Sequence, residues 1–333
     1  MERSRTIARR TYPWFAALSV LVLAVASCAQ QKVIIDQTAM DRIVWPGPPE
    51  KPRIRYLWSI SVLSGGEGSN ILDSFAGRTD VDVADPKNSY RFLRPYSIFA
   101  DLSGKLYVTD PGAYRLSIVD LKDALVRNIT EAGSVGFLSP IGVVASNEKI
   151  YVSDSVLAKV FILDSTGTKV GEFEGDFGRP TALALDRTRG IIYVSDSLLH
   201  KVFTYNLAGK RVGALGTGGS EKGEFNFPTH LWVDATGRLY VVDSMNFRVQ
   251  IFAPDGTFEG MFGTLGDAYG DLEKPKGIAT DSEGHIYVVD SIKDMVKIFD
   301  RDGNLLLFFG EEGMDYGQFW LPSGIFIDNK NTI

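Results

Sequence analysis

Two stretches of the sequence, LYVVDS (239–244) and IYVVDS (286–291), are nearly identical. They begin 47 residues apart, which is a typical length for a structural unit that a chain repeats. Each stretch is a short apolar run that ends in a carboxylate, as expected of a strand that leads into a loop. The pair therefore predicts further copies elsewhere in the chain.

The tyrosine of this pattern recurs five times, at spacings of 44, 42, 47 and 47 residues. Each copy continues with Val, one variable residue and an aspartate, which gives Asp110, Asp154, Asp196, Asp243 and Asp290. A proline precedes each tyrosine by about twelve residues, and a sixth proline begins another copy: Pro95, Pro140, Pro180, Pro228, Pro275 and Pro322. The chain thus contains five complete units and one that is begun.

The unit that starts at Pro275 shows what each copy contains. Four short apolar runs follow the proline, at residues 276–280, 285–289, 295–299 and 305–309. Asp302-Gly303 lies between the last two, and Asp-Gly between apolar runs indicates a tight hairpin. Four antiparallel strands in 40 to 50 residues are typical of a propeller blade.

A single blade cannot bury both of its faces, so the blades must stack on one another and the array must close. The copies therefore predict an all-β protein, a six-bladed β-propeller, with blades starting near residues 92, 137, 180, 228, 275 and 322.

The segment YVVDSMNFRVQIF (240–252) resembles the NHL repeat, and the likeness extends over residues 92–333. The head of the domain, WPGPPEKPRIRYL (45–57), resembles the start of bacterial six-bladed propeller lipoproteins. In such propellers an amino-terminal strand completes the last blade, so the resemblance implies this role for residues 53–61 and a propeller domain over 53–333. The last copy stops at Ile333, which aligns with Ile286, and this indicates a truncated last blade.

The amino terminus has the pattern of an export signal. Four arginines (Arg3, Arg5, Arg9 and Arg10) precede an apolar run over residues 14–26 that is too short to span a bilayer. The run ends in VASC (25–28), which resembles the lipobox of bacterial lipoproteins. The resemblance implies a lipoprotein signal peptide over 1–27, lipidation of Cys28 and a membrane anchor.

Residues 28–52 are interpreted as a tether. Ala29 takes the place where an Asp often marks inner-membrane retention, which favours the bacterial outer membrane. Cys28 is the only cysteine, so no disulfide can contribute to stability. The formal charge of −6 argues against nucleic acid, which needs a basic surface to displace counterions.

The five repeated aspartates invite a catalytic or metal-binding interpretation, but a structural one accounts for their presence in every complete blade. A cation lies five residues after four of them: Arg115, Lys159, Lys201 and Arg248. We therefore predict that each carboxylate anchors a loop, and we expect neither a metal nor a cofactor. The sequence DRDGN (300–304) resembles part of a calcium loop. Other blades have hairpin turns at the same place in the repeat, so we interpret this segment as a hairpin turn and not as a calcium site.

The three histidines do not form a zinc set, because His285 starts a second strand and so lies on the opposite face from His200 and His230. His230 lies two residues after Pro228, where the other units have small residues: Ser97, Gly142, Ala182, Gly277 and Gly324. A histidine there is expected to project towards the channel mouth, and packing alone is the alternative explanation.

Basic residues flank the prolines on the same face: Arg94, Arg179, Lys274 and Lys276. Together with His230 and His200 they could receive an anionic ligand or the acidic patch of another envelope protein, and a solvated loop face is the alternative. The sequence favours a membrane-anchored, non-enzymatic binding or scaffolding propeller. A propeller lyase or hydrolase with a metal at the channel mouth is the alternative function.

Overall fold

The structure of the chain, a computed structural model, describes residues 31–40, 42–64 and 91–333. The leader and Cys28 lie outside the described residues. Four strands precede the first repeat: β1 (Gln31–Asp36), β2 (Val44–Trp45), β3 (Ile54–Arg55) and β4 (Ser59–Ser64). Among the described residues, no helix is long and apolar enough to cross a membrane.

Each repeat forms a blade of four antiparallel strands in chain order. Blade 1 contains β5 (Ser97–Ala100), β6 (Lys105–Asp110), β7 (Arg115–Asp120) and β8 (Leu125–Ile129). The short hairpin β9 (Glu131–Ala132) and β10 (Val135–Gly136) follows it. Blade 2 contains β11 (Pro140–Ser146), β12 (Lys149–Asp154), β13 (Lys159–Asp164) and β14 (Lys169–Glu172).

The remaining blades repeat this order. Blade 3 contains β15 (Pro180–Asp186), β16 (Ile191–Asp196), β17 (Lys201–Asn206) and β18 (Arg211–Leu215). Blade 4 contains β19 (Pro228–Val233), β20 (Leu239–Asp243), a 3₁₀ turn (Ser244–Asn246), β21 (Arg248–Phe252) and β22 (Phe258–Phe262). Blade 5 contains β23 (Pro275–Thr280), β24 (Ile286–Asp290), β25 (Met295–Phe299) and β26 (Leu305–Phe309). The all-β propeller prediction is confirmed, and the strands of blade 5 agree with the sequence to within one residue.

The inner strands form a ring that residues 322–328 close. The Gly277 N–H of blade 5 donates to the carbonyl oxygen of Ser323 at 2.8 Å. On the other side, a Cβ placed on Gly324 would lie 2.6 Å from the Tyr96 carbonyl oxygen of blade 1, so only glycine fits this approach. Residues 322–328 therefore take the sixth position of the inner ring, next to five complete blades in the part of the chain that the structure describes.

The amino-terminal strands do not close the last blade, so that prediction is wrong. β4 pairs with β1, and β1 pairs with the outer strand β8 of blade 1. β3 pairs only with β2 among the described strands. The physical reason is that residues 322–328 provide no second strand to pair with, whereas β8 has a free edge that β1 covers.

The tether prediction for 28–52 is also wrong in part, because β1 and β2 lie within it. The apolar residue Val33 of β1 is buried against Val119 and Val126 of blade 1. Burying a side chain of this size stabilises the folded state by about 1.5–3 kcal/mol. This segment of the chain is thus part of the folded domain.

The hairpin of β2 and β3 lies beside blade 5, where Trp45 contacts Phe309 with ring centroids 5.4 Å apart. A cavity of about 1520 Å³ lies between this hairpin, blade 5 and residues 322–333. It occupies the space that further strands of a sixth blade would fill in a complete ring.

Aromatic side chains fill the space between adjacent blades. Between blades 2 and 3, Phe173 lies 4.5 Å from Tyr205 and 5.8 Å from Tyr151 in ring centroids. Contacts of this kind add about 0.5–1.5 kcal/mol to the effect of burial. Packing of this type explains how the ring is stable without disulfides.

Candidate functional site

The repeated aspartates are fully buried and bind backbone N–H groups. Asp196 shows the pattern: its carboxylate accepts from the N–H groups of Gly178 and Arg179, which precede the inner strand, and of Leu198 and Leu199, which follow β16. All four distances are between 2.7 and 3.1 Å. In blades 1, 2 and 3 the carboxylate thus joins the loop before the inner strand to the loop after the second strand.

The cations predicted to pair with these acids do so in only some blades. Arg115 lies 3.7 Å from Asp110, and Arg248 lies 2.8 Å from Asp243. Lys159, in contrast, pairs with Glu172 at the surface. Within residues 91–333, Asp154 and Asp196 accept hydrogen bonds from backbone N–H groups alone. The donors to Asp154 are Leu138, Ser139, Val156 and Leu157. The donors to Asp196 are Gly178, Arg179, Leu198 and Leu199.

Blade 5 has a cation that the sequence reasoning missed. The Lys297 ammonium donates to the Asp290 carboxylate at 2.9 Å, and both side chains are buried. Lys297 follows Asp290 by seven residues rather than five. β24 and β25 pair Asp290 with Met295, so Lys297 is the diagonal neighbour on the same sheet face. Gln250 takes the same position in blade 4 and donates to Asp243.

Three of these acids hold the basic residues in place. The backbone N–H groups of Arg94, Arg179 and Lys274 donate to Asp110, Asp196 and Asp290, at 2.9, 2.9 and 3.0 Å. The three side chains themselves are exposed. We call Arg94, Arg179 and Lys274 the basic rim. A residue whose backbone is fixed by a buried carboxylate presents its side chain from a defined point.

The basic rim surrounds the axis of the ring. Its members come from blades 1, 3 and 5, at the residue directly before the inner-strand proline in each case. The equivalent residues of blades 2 and 4 and of the sixth position are Ser139, Phe227 and Leu321. Since cations alternate with uncharged residues around a closed ring, the three charges approximate a triangle centred on the channel.

Below the rim, side chains from opposite blades meet on the axis. The rings of Tyr96 in blade 1 and His230 in blade 4 stack with centroids 5.3 Å apart and planes 21° apart. Burial raises the pKa of Tyr96 to about 12, although the positive charges of Arg179 and Arg94 act to lower this pKa. Both arginines are thus close enough to this hydroxyl to act on its charge.

His230 is buried, with 6% of its surface exposed, and neither ring nitrogen has a hydrogen-bond partner among the residues that the structure describes. Burial, and secondarily the charge of Lys276, lowers the pKa of His230 to about 3. The ring of Tyr96 covers the His230 ring on the axis, where the sequence predicted an open channel mouth. A buried imidazole without a hydrogen bond costs free energy relative to one that is hydrogen-bonded.

Lys276 completes this layer from blade 5. Its ammonium donates to the Ser323 hydroxyl at 3.1 Å and lies 5.8 Å from the centre of the Tyr96 ring. Burial lowers the pKa of Lys276, and repulsion by Lys274 and Arg94 lowers it further. The charges acting on Lys276 are thus mainly positive. Tyr96 and Ser323 were not predicted as site residues, although each directly follows an inner-strand proline, as Lys276 does.

Deeper in the channel, apolar side chains close the axis. Phe326 lies 5.3 Å from Phe99 and 5.4 Å from Trp232 in ring centroids. The Arg187 guanidinium of blade 3 lies 5.1 Å from the centre of the Phe99 ring in blade 1. The channel is therefore filled by a layer of aromatic rings, and a ligand on the axis would be accessible from the rim side.

The other two histidines lie apart from this cluster. His200 is at the β16–β17 turn, where its Nδ1 accepts from the Phe227 N–H at 3.2 Å. His285 is at the opposite end of blade 5, 2.8 Å from Asp281. Among the described residues, no group of three or more His, Cys, Asp or Glu side chains is placed to hold a metal ion.

No known family profile matches the sequence, and no curated protein matches it. Solved structures match in fold. A structure of a nidogen–laminin complex is 18% identical with a TM-score of 0.54, covering 69% of this chain and 83% of the other. A structural-genomics protein of unknown function from Bacteroides thetaiotaomicron is 20% identical with a TM-score of 0.53, covering 71% and 64%.

A catalytically inactive virginiamycin B lyase from Staphylococcus aureus, solved with quinupristin, is 15% identical with a TM-score of 0.52, covering 69% and 73%. At these identities the likeness establishes the β-propeller fold alone. The proteins matched include an enzyme and a component of a binding complex, so the fold does not distinguish the two kinds of function.

Proposed function

We propose that this β-propeller is a non-enzymatic binding or scaffolding protein that receives an anionic ligand, or an acidic patch of a partner protein, at the basic rim. The observation that carries the proposal is the position of Arg94, Arg179 and Lys274, fixed by buried carboxylates around one axis. Three exposed cations gathered on an acidic protein, with a formal charge of −6, favour an anionic partner by electrostatic complementarity.

We further propose that the protein is an NHL-type lipoprotein of the bacterial cell envelope, anchored through Cys28 in the outer membrane. The support is the VASC sequence at 25–28 and the NHL-like segment at 240–252. Cys28→Ala should abolish incorporation of labelled fatty acid. Continued labelling of this variant would contradict the anchor.

The experiment that tests the binding function is affinity capture from envelope extract with three proteins. The wild type is compared with Arg94→Ala/Arg179→Ala/Lys274→Ala and with a control variant of equal charge change. The control replaces three exposed lysines on the opposite face by alanine: Lys122, Lys149 and Lys210. The partner of the wild type should be retained by the control and lost from the rim variant. Equal capture by all three proteins would contradict the proposal.

The alternative is a lyase or hydrolase with a metal at the channel mouth. His230 is the histidine on the axis, and it stacks on Tyr96. Metal analysis of the purified protein distinguishes the two functions: stoichiometric zinc or calcium that is lost from His230→Gln would support the enzyme.

A further inference from the structure

The basic rim places three cations around one axis. Within the residues that the structure describes, the side chains of Arg94, Arg179 and Lys274 form no ion pair, whereas Arg189 pairs with Asp186 and Lys293 pairs with Glu273. Because like charges repel, an unpaired group of cations around one axis is destabilising until an anion neutralises it.

The layer below the rim offers polar groups without sufficient partners. His230 is more than nine-tenths buried, and within the described part of the chain both of its ring nitrogens lack a hydrogen-bond partner. Lys276 is half-buried, and its ammonium has the Ser323 hydroxyl as a single donor contact at 3.1 Å among the described residues. An ammonium has three donors, so this layer can still donate hydrogen bonds upwards to a ligand.

We propose that the ligand is a multiply charged oxyanion, a phosphate or polycarboxylate group, bound on the axis between Arg94, Arg179 and Lys274 with Lys276 beneath it. This inference rests on the proposed function and names the chemistry of its ligand. Three cations in a triangle, with a fourth on the axis below, match a group that carries several oxygens around one centre. Guanidinium groups also bind phosphate and carboxylate in a bidentate manner, which adds geometric selectivity.

The chemistry discriminates against singly charged anions. A single carboxylate carries one negative charge, so it neutralises one cation of the rim and leaves the other two repelling each other. A phosphate, pyrophosphate or tricarboxylate can contact all of them at once. The oxyanion could be a free metabolite or a group on a larger partner, and the test below separates these sources.

Isothermal titration calorimetry of the purified full-length protein at low salt provides the test, with inorganic phosphate, pyrophosphate, citrate and acetate as probes. We expect saturable binding of pyrophosphate and citrate, weaker binding of phosphate and no measurable binding of acetate. Each rim cation replaced by alanine should weaken binding about tenfold, which is typical of a charge-assisted hydrogen bond. Arg94→Lys keeps the charge but loses the bidentate geometry, so it should weaken binding less than Arg94→Ala does.

Two controls separate the site from general charge effects. Ser139→Ala changes the equivalent ring position of blade 2 and should leave the affinity unchanged. The control variant that lacks Lys122, Lys149 and Lys210 loses the same charge at the opposite face and should also bind as the wild type does. Equal loss of binding in this control and in the rim variant would overturn the proposal, because it would indicate an effect of net charge.

The outcomes distinguish this inference from the proposed function. If no oxyanion binds while the rim variant still loses its envelope partner, the oxyanion inference is wrong and the binding function stands. If citrate and pyrophosphate bind the rim variant as tightly as the wild type, the inference is likewise overturned. If the probes bind and also compete with the captured partner, the oxyanion belongs to that partner; binding without competition indicates a free ligand.

Discussion

The buried imidazole of His230 makes the stability of this propeller depend on pH in a way that one substitution can isolate. Its pKa falls from 6.5 to about 3 on folding. Between these values the unfolded chain binds a proton at His230 that the folded protein does not bind. The free energy of unfolding therefore falls as the pH is lowered from 6.5 and reaches its full loss near pH 3.

The magnitude follows from the size of the pKa shift. Between pH 7.5 and pH 4.5, His230 should reduce the free energy of unfolding by about 3 kcal/mol, and the loss should reach about 4 kcal/mol at pH 3. Carboxylates add their own pH dependence, but it is shared by variants that differ only at this residue. The comparison of wild type with His230→Gln therefore isolates the contribution of the imidazole.

The assay is urea unfolding at pH 7.5 and pH 4.5, analysed for the wild type, His230→Gln and Tyr96→Phe. The wild type should lose about 3 kcal/mol more than His230→Gln between the two pH values. Tyr96→Phe keeps the stacked ring and the histidine, so it should lose as much as the wild type. If the wild type and His230→Gln lose the same free energy, the imidazole is solvated or hydrogen-bonded and the reasoning fails.

Three further predictions concern the acids and the ring. Asp196→Ala should lower the free energy of unfolding by roughly 2–5 kcal/mol, because four backbone N–H groups lose their acceptor. The control Asp164→Ala, in an exposed turn, should have little effect. Similar urea midpoints for the two variants would contradict this prediction. Lys297→Met should lower the free energy of unfolding by about 3–5 kcal/mol, because it leaves a buried carboxylate without its cation. Lys159→Met at the surface should change this free energy very little. Equal losses in the two variants would refute the importance of the buried ion pair. Gly324→Val should open the ring at residues 322–328, because its Cβ meets a carbonyl oxygen of blade 1; unchanged protection of this segment from limited proteolysis would count against closure there.

Local features made the blades predictable from the sequence. The strands of blade 5 follow from apolar runs separated by turn residues, and Asp302-Gly303 fixes the last hairpin of that blade. In blades 2 to 5 the inner-strand proline also opposes the repeated aspartate, as in the pairing of Pro180 with Asp196, so the residue before the proline has a regular place in each repeat. Both signals depend only on neighbours within one repeat.

Contacts between distant parts of the chain were not predictable in this way. The stack of Tyr96 on His230 joins blades that are opposite in the ring, and no spacing in the sequence marks it. The pairing of β1 with β8 depends on which strand edge remains free after the ring has formed. In four blades a cation follows the repeated aspartate by five residues, whereas Lys297 follows Asp290 by seven, so this spacing did not identify it. Its diagonal position on the same sheet face explains why it still reaches Asp290.

The proposed oxyanion site on the axis between Arg94, Arg179 and Lys274 can be located by diffraction. Tungstate is a heavy oxyanion, and the anomalous scattering of its metal would mark the position of the bound ion in soaked crystals. We expect one strong anomalous peak on the ring axis, within hydrogen-bonding reach of the three rim side chains. A strong peak elsewhere on the surface, with none on the axis, would contradict it.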